Sequence, residues 1–127
     1  MPELKQMLLV EPENILRRTA ALTARSMGLA EVQEASSTAA ARQILAQRPF
    51  HGALISIDAG DAFDLSLLDL VRQGHSASRP RIPLAVLASR CDDTLLAALH
   101  ERGINRIVLK PFRARALLDA FAALSGT

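Results

Sequence analysis

The sequence predicts an α/β fold in which one parallel β-sheet is covered by helices on both faces. Short apolar runs alternate with longer amphipathic segments along the 127 residues, and turn residues separate them. Strands that alternate with helices form parallel sheets, because each helix carries the chain back to the start of the next strand. The length suits one domain, residues 1–127, and the 50% apolar content suffices for a sizeable core.

Five strand–helix units follow one another along the chain. The apolar runs that predict strands lie at residues 7–10, 31–35, 53–57, 84–88 and 106–109. The amphipathic patterns that predict helices lie at residues 15–27, 39–47, 64–73, 93–101 and 113–124. Near-continuous apolar runs are typical of strands that are buried on both faces, as in a doubly wound parallel sheet.

Capping residues mark the ends of two of these helices. Asn14 is the expected N-cap of the first helix, and Asp92 or Asp93 is the expected N-cap of the fourth. Gly28 and Gly103 are expected to end the same two helices, because glycine readily adopts the left-handed conformation that follows a helix.

The composition argues against several classes of function. The chain has four Phe but no Tyr or Trp, so it offers few rings on which nucleic-acid bases could stack. The net charge is only +2, although the pI is about 9.3, and no clustered basic stripe suggests DNA binding. The single Cys91 fits a reducing compartment. No apolar run approaches the roughly 20 residues of a membrane span, so we expect a cytoplasmic protein without DNA or membrane partners.

Polar residues gather where the third predicted strand ends. Ser56 interrupts the apolar run, and Asp58, Gly60 and Asp61 follow it before the next helix. In open α/β sheets, binding sites lie beyond the carboxyl ends of the strands. The functional centre is therefore expected near Ser56.

The order and spacing of several segments resemble a response-regulator receiver domain of the CheY-like family. The resemblance rests on LLVEPENILR from residue 8, FHGALIS from residue 50, IPLAVLAS from residue 82 and LKPF from residue 109. It implies a flavodoxin-like (βα)5 fold with strand order 2-1-3-4-5. It also implies two-component or phosphorelay signal transduction, and a cis peptide bond before Pro111.

The residues that form the family's phosphorylation pocket are largely replaced. The resemblance aligns Glu11 and Pro12 with the acidic pair after the first strand, so one acid is missing. Ser56 stands where the family has its phospho-acceptor Asp, and Ala88 stands where it has a hydroxyl. Lys110 is the one pocket residue other than Glu11 that is kept.

These replacements predict a pseudo-receiver that is not an enzyme and needs no cofactor. A serine hydroxyl is a weak nucleophile without an adjacent base, and Mg²⁺ prefers more carboxylate ligands than Glu11 alone. Ser89 is expected to point to the opposite face of the fourth strand. Ile107 replaces the aromatic residue that reports the family's switch, and it is expected to be simply packed.

Two alternatives concern individual pocket residues. Asp58 could serve as a shifted acceptor, although Asp58, Asp61 and Asp64 are more readily explained as solvated loop residues and helix caps. Lys110 could hold a phosphate oxygen, or it could serve as a structural ion-pair partner of Glu11. The sequence favours the loop or capping role for Asp58 and the ion pair with Glu11 for Lys110.

The resemblance also predicts a protein partner, such as a histidine kinase or another signalling protein. The partner face is expected on the fourth helix, fifth strand and fifth helix, with Arg102, Arg106, Ile107, Arg113 and Arg115. A weak homodimer through the same face is a second expectation. The alternative is a sensor that binds a nucleotide second messenger through these arginines, because guanidinium groups bind phosphates bidentately.

Overall fold

The computed structural model describes residues 4–104 and 106–124, so residues 1–3, 105 and 125–127 of the expected domain lie outside the described residues. The strands are β1 (Gln6–Val10), β2 (Glu31–Ala35), β3 (Gly52–Ser56), β4 (Asp58–Ala59), β5 (Ala62–Phe63), β6 (Leu84–Ala88) and β7 (Ile107–Leu109). The helices are α1 (Asn14–Ser26), α2 (Thr38–Gln47), α3 (Ser66–Arg72), α4 (Asp93–Glu101) and α5 (Ala114–Leu124).

Five parallel strands form one sheet in the order β2-β1-β3-β6-β7. This is the predicted order 2-1-3-4-5, because β4 and β5 pair only with each other as a short antiparallel hairpin. The predicted fold class is therefore confirmed. The hairpin was expected to be an irregular loop, since two-residue strands give no periodic pattern in the sequence.

The core lies in two layers, one on each face of the sheet. Successive side chains of a strand point to opposite faces, so Leu8 and Val10 enter one layer while Met7 and Leu9 enter the other. Helices α1 and α5 cover the second layer, whereas α2, α3 and α4 cover the first. This is the doubly wound arrangement that the near-continuous apolar strands predict.

The start of β3 requires glycine because it packs closely against three neighbours. A Cβ at Gly52 would lie 3.0 Å from the Met7 sulfur, 3.1 Å from the Pro83 carbonyl oxygen and 3.3 Å from the Leu124 carbonyl oxygen. Two of these neighbours are backbone atoms, which move less readily than side chains. Gly52 therefore fixes the separation of β1, β3, β6 and α5.

The helix ends agree only partly with the predicted caps. Asp92 caps α4 by accepting a hydrogen bond of 2.8 Å from the backbone N–H of Leu95. The prediction for Asn14 was wrong: α1 begins at Asn14 itself, and Glu13 is the N-cap residue without a side-chain cap. Asn14 instead accepts a hydrogen bond of 2.8 Å from Arg17 Nη2, which competes for the side-chain oxygen.

The strand ends bring four distant parts of the chain to one edge of the sheet. Backbone hydrogen bonds extend the ladder one residue past the strands, from Glu11 to Ala35 (3.1 Å) and from Lys110 to Ala88 (2.8 Å). A third bond joins Ile57 to Leu87 at 3.0 Å, directly after Ser56. Glu11, Ser56, Ala88 and Lys110 are thereby held around one pocket at the carboxyl edge.

Candidate functional site

Glu11 forms the buried side of this pocket. Its side chain is 3% exposed, and its Oε2 accepts a hydrogen bond of 2.9 Å from the backbone N–H of Glu13. The Glu11 carbonyl accepts a bond of 3.0 Å from Arg17 Nη1, and Arg17 also pairs with Glu34 at 3.2 Å. The chain after β1 is thus anchored on both sides of the carboxylate.

The ammonium group of Lys110 lies at the centre of the pocket. Its Nζ is 2.5 Å from Glu11 Oε1 and 3.5 Å from Asp58 Oδ2, and it donates a hydrogen bond of 2.8 Å to Ser56 Oγ. Glu11 Oε1 is inaccessible to solvent and accepts no regular hydrogen bond from the described residues, so the Lys110 charge is its partner. The peptide bond between Lys110 and Pro111 is cis, as the resemblance implied.

Asp58 contributes a second carboxylate to the pocket, which corrects the expectation of a solvated loop residue. Its side chain is 25% exposed. The backbone N–H of Ser89 donates to both carboxylate oxygens, at 3.0 and 3.1 Å, and the Ser89 hydroxyl lies 3.2 Å from Oδ1. The β4–β5 hairpin redirects the chain after Ser56, so that Asp58 points inward instead of out to solvent.

The prediction for Ser89 was also wrong. Strand alternation was expected to turn its hydroxyl away from the pocket, but β6 ends at Ala88 and the alternation does not extend beyond it. Ala88 itself is fully buried and brings no hydroxyl. The hydroxyl at this edge therefore comes from Ser89, and Asp58 accepts its hydrogen bond.

The other two acids of this loop remain outside the pocket, in agreement with the sequence analysis. Asp61 is exposed, and its backbone carbonyl accepts a hydrogen bond from Arg90. Asp64 Oδ1 accepts a bond of 2.9 Å from the backbone N–H of Ser66, at the start of α3. Hydrogen bonds from the Ser66 side chain and backbone hold the pKa of Asp64 below its ordinary value.

The charges of the pocket are matched in part within the molecule. Glu11 and Asp58 bring two carboxylates, and Lys110 brings one ammonium between them. Pro12 is exposed and has no group that could bind a cation or a phosphate. The contact between Asp58 and Ser89 was not predicted from the sequence. Two signals in the sequence were consistent with it: Asp58 lies two residues after Ser56, and Ser89 directly follows the fourth predicted strand.

The residues assigned to a partner face lie in different environments. Arg102 pairs with Asp69 at 2.6 Å and donates a bond of 2.7 Å to the Ala98 carbonyl, so it joins α4 to α3. The hydrogen bond with Asp69 raises the pKa of Arg102. Arg106, Arg113 and Arg115 are exposed, as predicted.

Ile107 packs against the core as expected, although it is only partly buried. It contacts the core layer that α3 and α4 cover, and one side remains open to solvent. Leu109, two residues along the same face of β7, is 51% exposed. The strand therefore presents an apolar strip instead of a closed core position.

The remaining candidate ligands do not assemble into a metal centre. His51, His75 and His100 are exposed and lie in separate parts of the fold. Across residues 4–104 and 106–124, no group of three or more His, Cys, Asp or Glu side chains is placed to hold a metal ion.

In the same part of the chain, no helix combines the length and hydrophobicity that crossing a bilayer would require.

Comparisons with known proteins give a consistent result at the level of structure. No protein-family model matches the sequence, and no curated protein matches it either. Among solved structures, the chemotaxis protein CheY4 of Vibrio cholerae aligns with a TM-score of 0.82 at 16% identity, covering 96% of this chain and 99% of that one.

Two further structures are similar to the same extent. The signal receiver domain of an HD domain-containing protein from Pseudomonas fluorescens aligns with a TM-score of 0.79 at 21% identity, over 96% of this chain and 94% of that one. The receiver domain of a sensor histidine kinase from Pseudomonas aeruginosa aligns with a TM-score of 0.78 at 18% identity, over 98% and 100% of the two chains. That domain holds a magnesium ion in its active-site cleft. Together, the strand order, the pocket at the carboxyl edge and these alignments show that the chain has the CheY-like receiver-domain fold.

Proposed function

We propose that this chain is a signalling module of the receiver type that acts through protein–protein interaction without being phosphorylated. The observation that carries the proposal is the position of the Lys110 ammonium, which contacts Glu11, Ser56 and Asp58 at once. Because this ammonium already lies beside both carboxylates, it would repel a cation bound there, and it is not free to bind a phosphate. The cytoplasmic location stays a prediction.

The donor groups of the pocket fit Mg²⁺ poorly. Mg²⁺ requires near-octahedral oxygen ligation, commonly from one or two carboxylates with water and phosphate. Here Lys110 lies 2.5 Å from the buried Glu11 carboxylate, and a divalent cation beside it would repel the ammonium. Asp58, the second carboxylate, lies 3.5 Å from the same ammonium and already accepts hydrogen bonds from the Ser89 N–H, and Ser56 and Pro12 supply no further acid. We therefore derive no step that uses a metal.

Incubation with acetyl phosphate and Mg²⁺, followed by intact-mass measurement, tests this proposal. We expect no phosphorylated species of the wild-type chain. Ser56→Asp alone is expected to stay unlabelled, because Pro12 still withholds an acid after β1, Ala88 has no hydroxyl, and the Ser89 hydroxyl is already bound to Asp58. The combined change Pro12→Asp, Ser56→Asp and Ala88→Thr supplies all three groups and has the better prospect of labelling. Efficient labelling of Ser56→Asp would show that the missing acid at Pro12 and the missing hydroxyl at Ala88 do not by themselves prevent phosphorylation.

A second candidate function is phosphorylation on Asp58. It is favoured by one observation: Asp58 lies 3.5 Å from Lys110 and within 3.2 Å of the Ser89 hydroxyl, so a carboxylate, a lysine and a hydroxyl do meet. Against it, both Asp58 oxygens already accept from the Ser89 N–H. We therefore rank Asp58 below the phosphorylation-independent function.

The same labelling experiment separates these two functions when Asp58→Asn is included. Asp61→Asn is the matched control, because it removes the same charge from an exposed position three residues away. Labelling of the wild type and of Asp61→Asn, but not of Asp58→Asn, would establish Asp58 as the acceptor. We expect all three proteins to remain unlabelled.

The partner surface is proposed on α4, β7 and α5. Leu96 and Leu109 are 37% and 51% exposed on this surface, and Ile107 is half-buried. Arg106 and Arg115 are exposed beside them in sequence. Apolar strips with arginine at the rim are common in protein interfaces. A histidine kinase or another signalling protein is the proposed partner, and a weak homodimer is the alternative.

Charge reversal tests this surface. Arg106→Glu and Arg115→Glu should weaken partner binding without unfolding the domain, because both side chains are exposed. Arg18→Glu, on α1 and not part of the proposed surface, is the control for a change in net charge. Pull-down of partners from the source cell with each variant, with and without acetyl phosphate, provides the measurement. Binding that needs acetyl phosphate, or that ignores both reversals, would contradict the proposal.

A further inference from the structure

A groove of about 720 Å³ lies at the amino-terminal edge of the sheet, on the side opposite the pocket of Lys110. It is bordered by the segments that lead into β3 and β6, residues 49–51 and 77–83, and by Gln6 at the start of β1. Volumes of this size are typical of sites for small-molecule ligands.

The lining of the groove combines apolar and cationic groups. Phe50 and Ile82 are nearly buried, and the exposed rings of Pro49 and Pro83 extend the apolar surface. The Arg48 guanidinium lies 5.1 Å from the centre of the Phe50 ring, which keeps that ring in place. The apolar surface is therefore preformed.

The polar groups of the lining side chains are mainly hydrogen-bond donors. The side chains of Arg79 and Arg81 are exposed and make no hydrogen bond or ion pair with the described residues. His51 Nδ1 accepts a hydrogen bond of 2.8 Å from the Gln6 N–H, so neutral His51 carries its own proton on Nε2. Two free guanidinium groups and an imidazole N–H suit an anionic ligand.

Among the described lining residues of the groove none is acidic. Arg72, just behind Arg81, is half-buried and donates to the carbonyls of Pro80, Ile82 and Arg102. Burial, and after it the charge of Arg81, lowers the pKa of Arg72. An anion bound beside Arg81 would relieve this repulsion.

We propose that the groove binds a small phosphorylated ligand of about nucleotide size. Its phosphate is held by Arg79 and Arg81, and its flat, less polar part lies against Pro49, Ile82 and Pro83. Guanidinium groups bind phosphate bidentately, which explains the use of arginine here. These are not the arginines that the sequence analysis considered for a nucleotide, of which Arg102 is engaged with Asp69.

A peptide that adds a strand to the sheet does not fit this groove. The groove opens onto β1, β3 and β6, and each of these strands already pairs with a neighbour on both sides. No unpaired backbone row is therefore offered to an incoming strand at this place. The structure favours a compact ligand that is held by side chains.

Titration of the ¹⁵N-labelled full chain, followed by NMR, tests the proposal with adenosine 5′-monophosphate as the probe. We expect amide shifts concentrated in residues 49–51 and 77–83. Adenosine and inorganic phosphate each lack half of the ligand, and each should bind at least about ten-fold more weakly. A hexaglutamate peptide should bind more weakly than the nucleotide.

Paired variants identify the residues that hold the phosphate. The double change Arg79→Ala with Arg81→Ala should weaken nucleotide binding by at least about ten-fold, because it removes both charge-assisted contacts. Arg18→Ala with Arg42→Ala removes the same charge from exposed positions outside the groove and should leave the affinity within about two-fold. Equal losses in both pairs, equal affinity for adenosine, tighter binding of hexaglutamate, or no shifts in the groove would overturn the proposal.

Discussion

The two edges of the same sheet differ in how their charges are balanced. At the carboxyl edge, Lys110 lies between Glu11 and Asp58 and also binds Ser56, so each charged side chain of the pocket has a partner of opposite charge. At the amino edge, Arg79 and Arg81 border a groove in which the described lining residues include no acid.

This difference indicates that the two edges have different requirements for a ligand. The carboxyl edge is assembled from residues far apart in sequence, such as Lys110 and Ser56, which are separated by 54 positions. Their contacts form on folding and need no further molecule. The exposed arginines of the amino edge retain their hydration or bind an anion, so that edge remains available for a ligand.

The largest expected effect comes from removing the cation of the carboxyl edge. Lys110→Met leaves Glu11, whose side chain is 3% exposed, without its charge partner. Removing one member of a buried pair costs about 3–5 kcal/mol, and we expect a loss of about 3 kcal/mol at pH 7 because Lys110 is partly exposed. Urea denaturation provides the free energy of unfolding.

Two controls show whether the cost comes from the unpaired carboxylate. Adding Glu11→Gln to Lys110→Met should recover much of the lost stability, because the buried charge is then gone. Arg115→Met breaks only the exposed pair with Asp119, at 3.7 Å, and should change stability by less than about 0.5 kcal/mol. A similar loss for both single variants would refute the argument for internal charge balance.

The packing at the start of β3 gives the second largest effect. Gly52→Ala places a Cβ about 3 Å from the Met7 sulfur and the Pro83 carbonyl oxygen, where backbone must move to accommodate it. Overpacking of this kind costs about 1–3 kcal/mol. Thermal and urea unfolding measure the loss, and a cost below about 0.5 kcal/mol would mean that β3 and β6 separate easily.

Apolar runs and amphipathic patterns predicted most element positions, because they are local signals. The sheet order and the grouping of Glu11, Ser56, Ala88 and Lys110 in one pocket were implied by the resemblance to receiver domains. The prediction failed for Asp58 and Ser89, which lie just beyond strand ends. Their directions depend on the β4–β5 hairpin and on where β6 stops, which alternation along a strand cannot predict.

The groove at the amino edge was not predicted for a related reason. Residues 74–83 looked like a polar connection rich in Ser, Pro and Arg, and no periodic pattern set their shape. The structure folds this segment against residues 49–51, where the Ser78 hydroxyl accepts a hydrogen bond of 2.9 Å from the Phe50 N–H. The groove therefore depends on a tertiary contact between two segments that each lack a regular pattern.

The third effect concerns pH and the acid that starts α3. The hydrogen bonds of Ser66 lower the pKa of Asp64 in the folded state. The ionised form of Asp64 therefore stabilises the fold fully when the pH is above 3.8, the ordinary pKa of this group. That contribution is lost as the pH falls through the lowered pKa. Asp64→Asn keeps the oxygen but not the charge, so its deficit in urea midpoint should shrink on acidification. Asp61→Asn removes the same charge from an exposed position in the same loop and is the matched control, and parallel curves for both variants would contradict the assignment.

The smallest expected effect is a gain in stability, where the preceding variants lose stability, and it tests the amino edge directly. Arg81→Gln keeps a side chain of similar length but removes the charge that opposes Arg72. We expect it to stabilise the unliganded domain by about 0.2–0.5 kcal/mol at low salt, and less at high salt, where exposed charges are screened. Arg115→Gln removes an exposed ion pair with Asp119, which is an attraction, so it should be neutral or slightly destabilising. Because both variants lose one positive charge from an exposed position, a difference in sign between them reports the local environment and not the net charge. If Arg81→Gln destabilises the unliganded domain, the arginine has a partner in solution, and the amino edge is balanced as fully as the carboxyl edge.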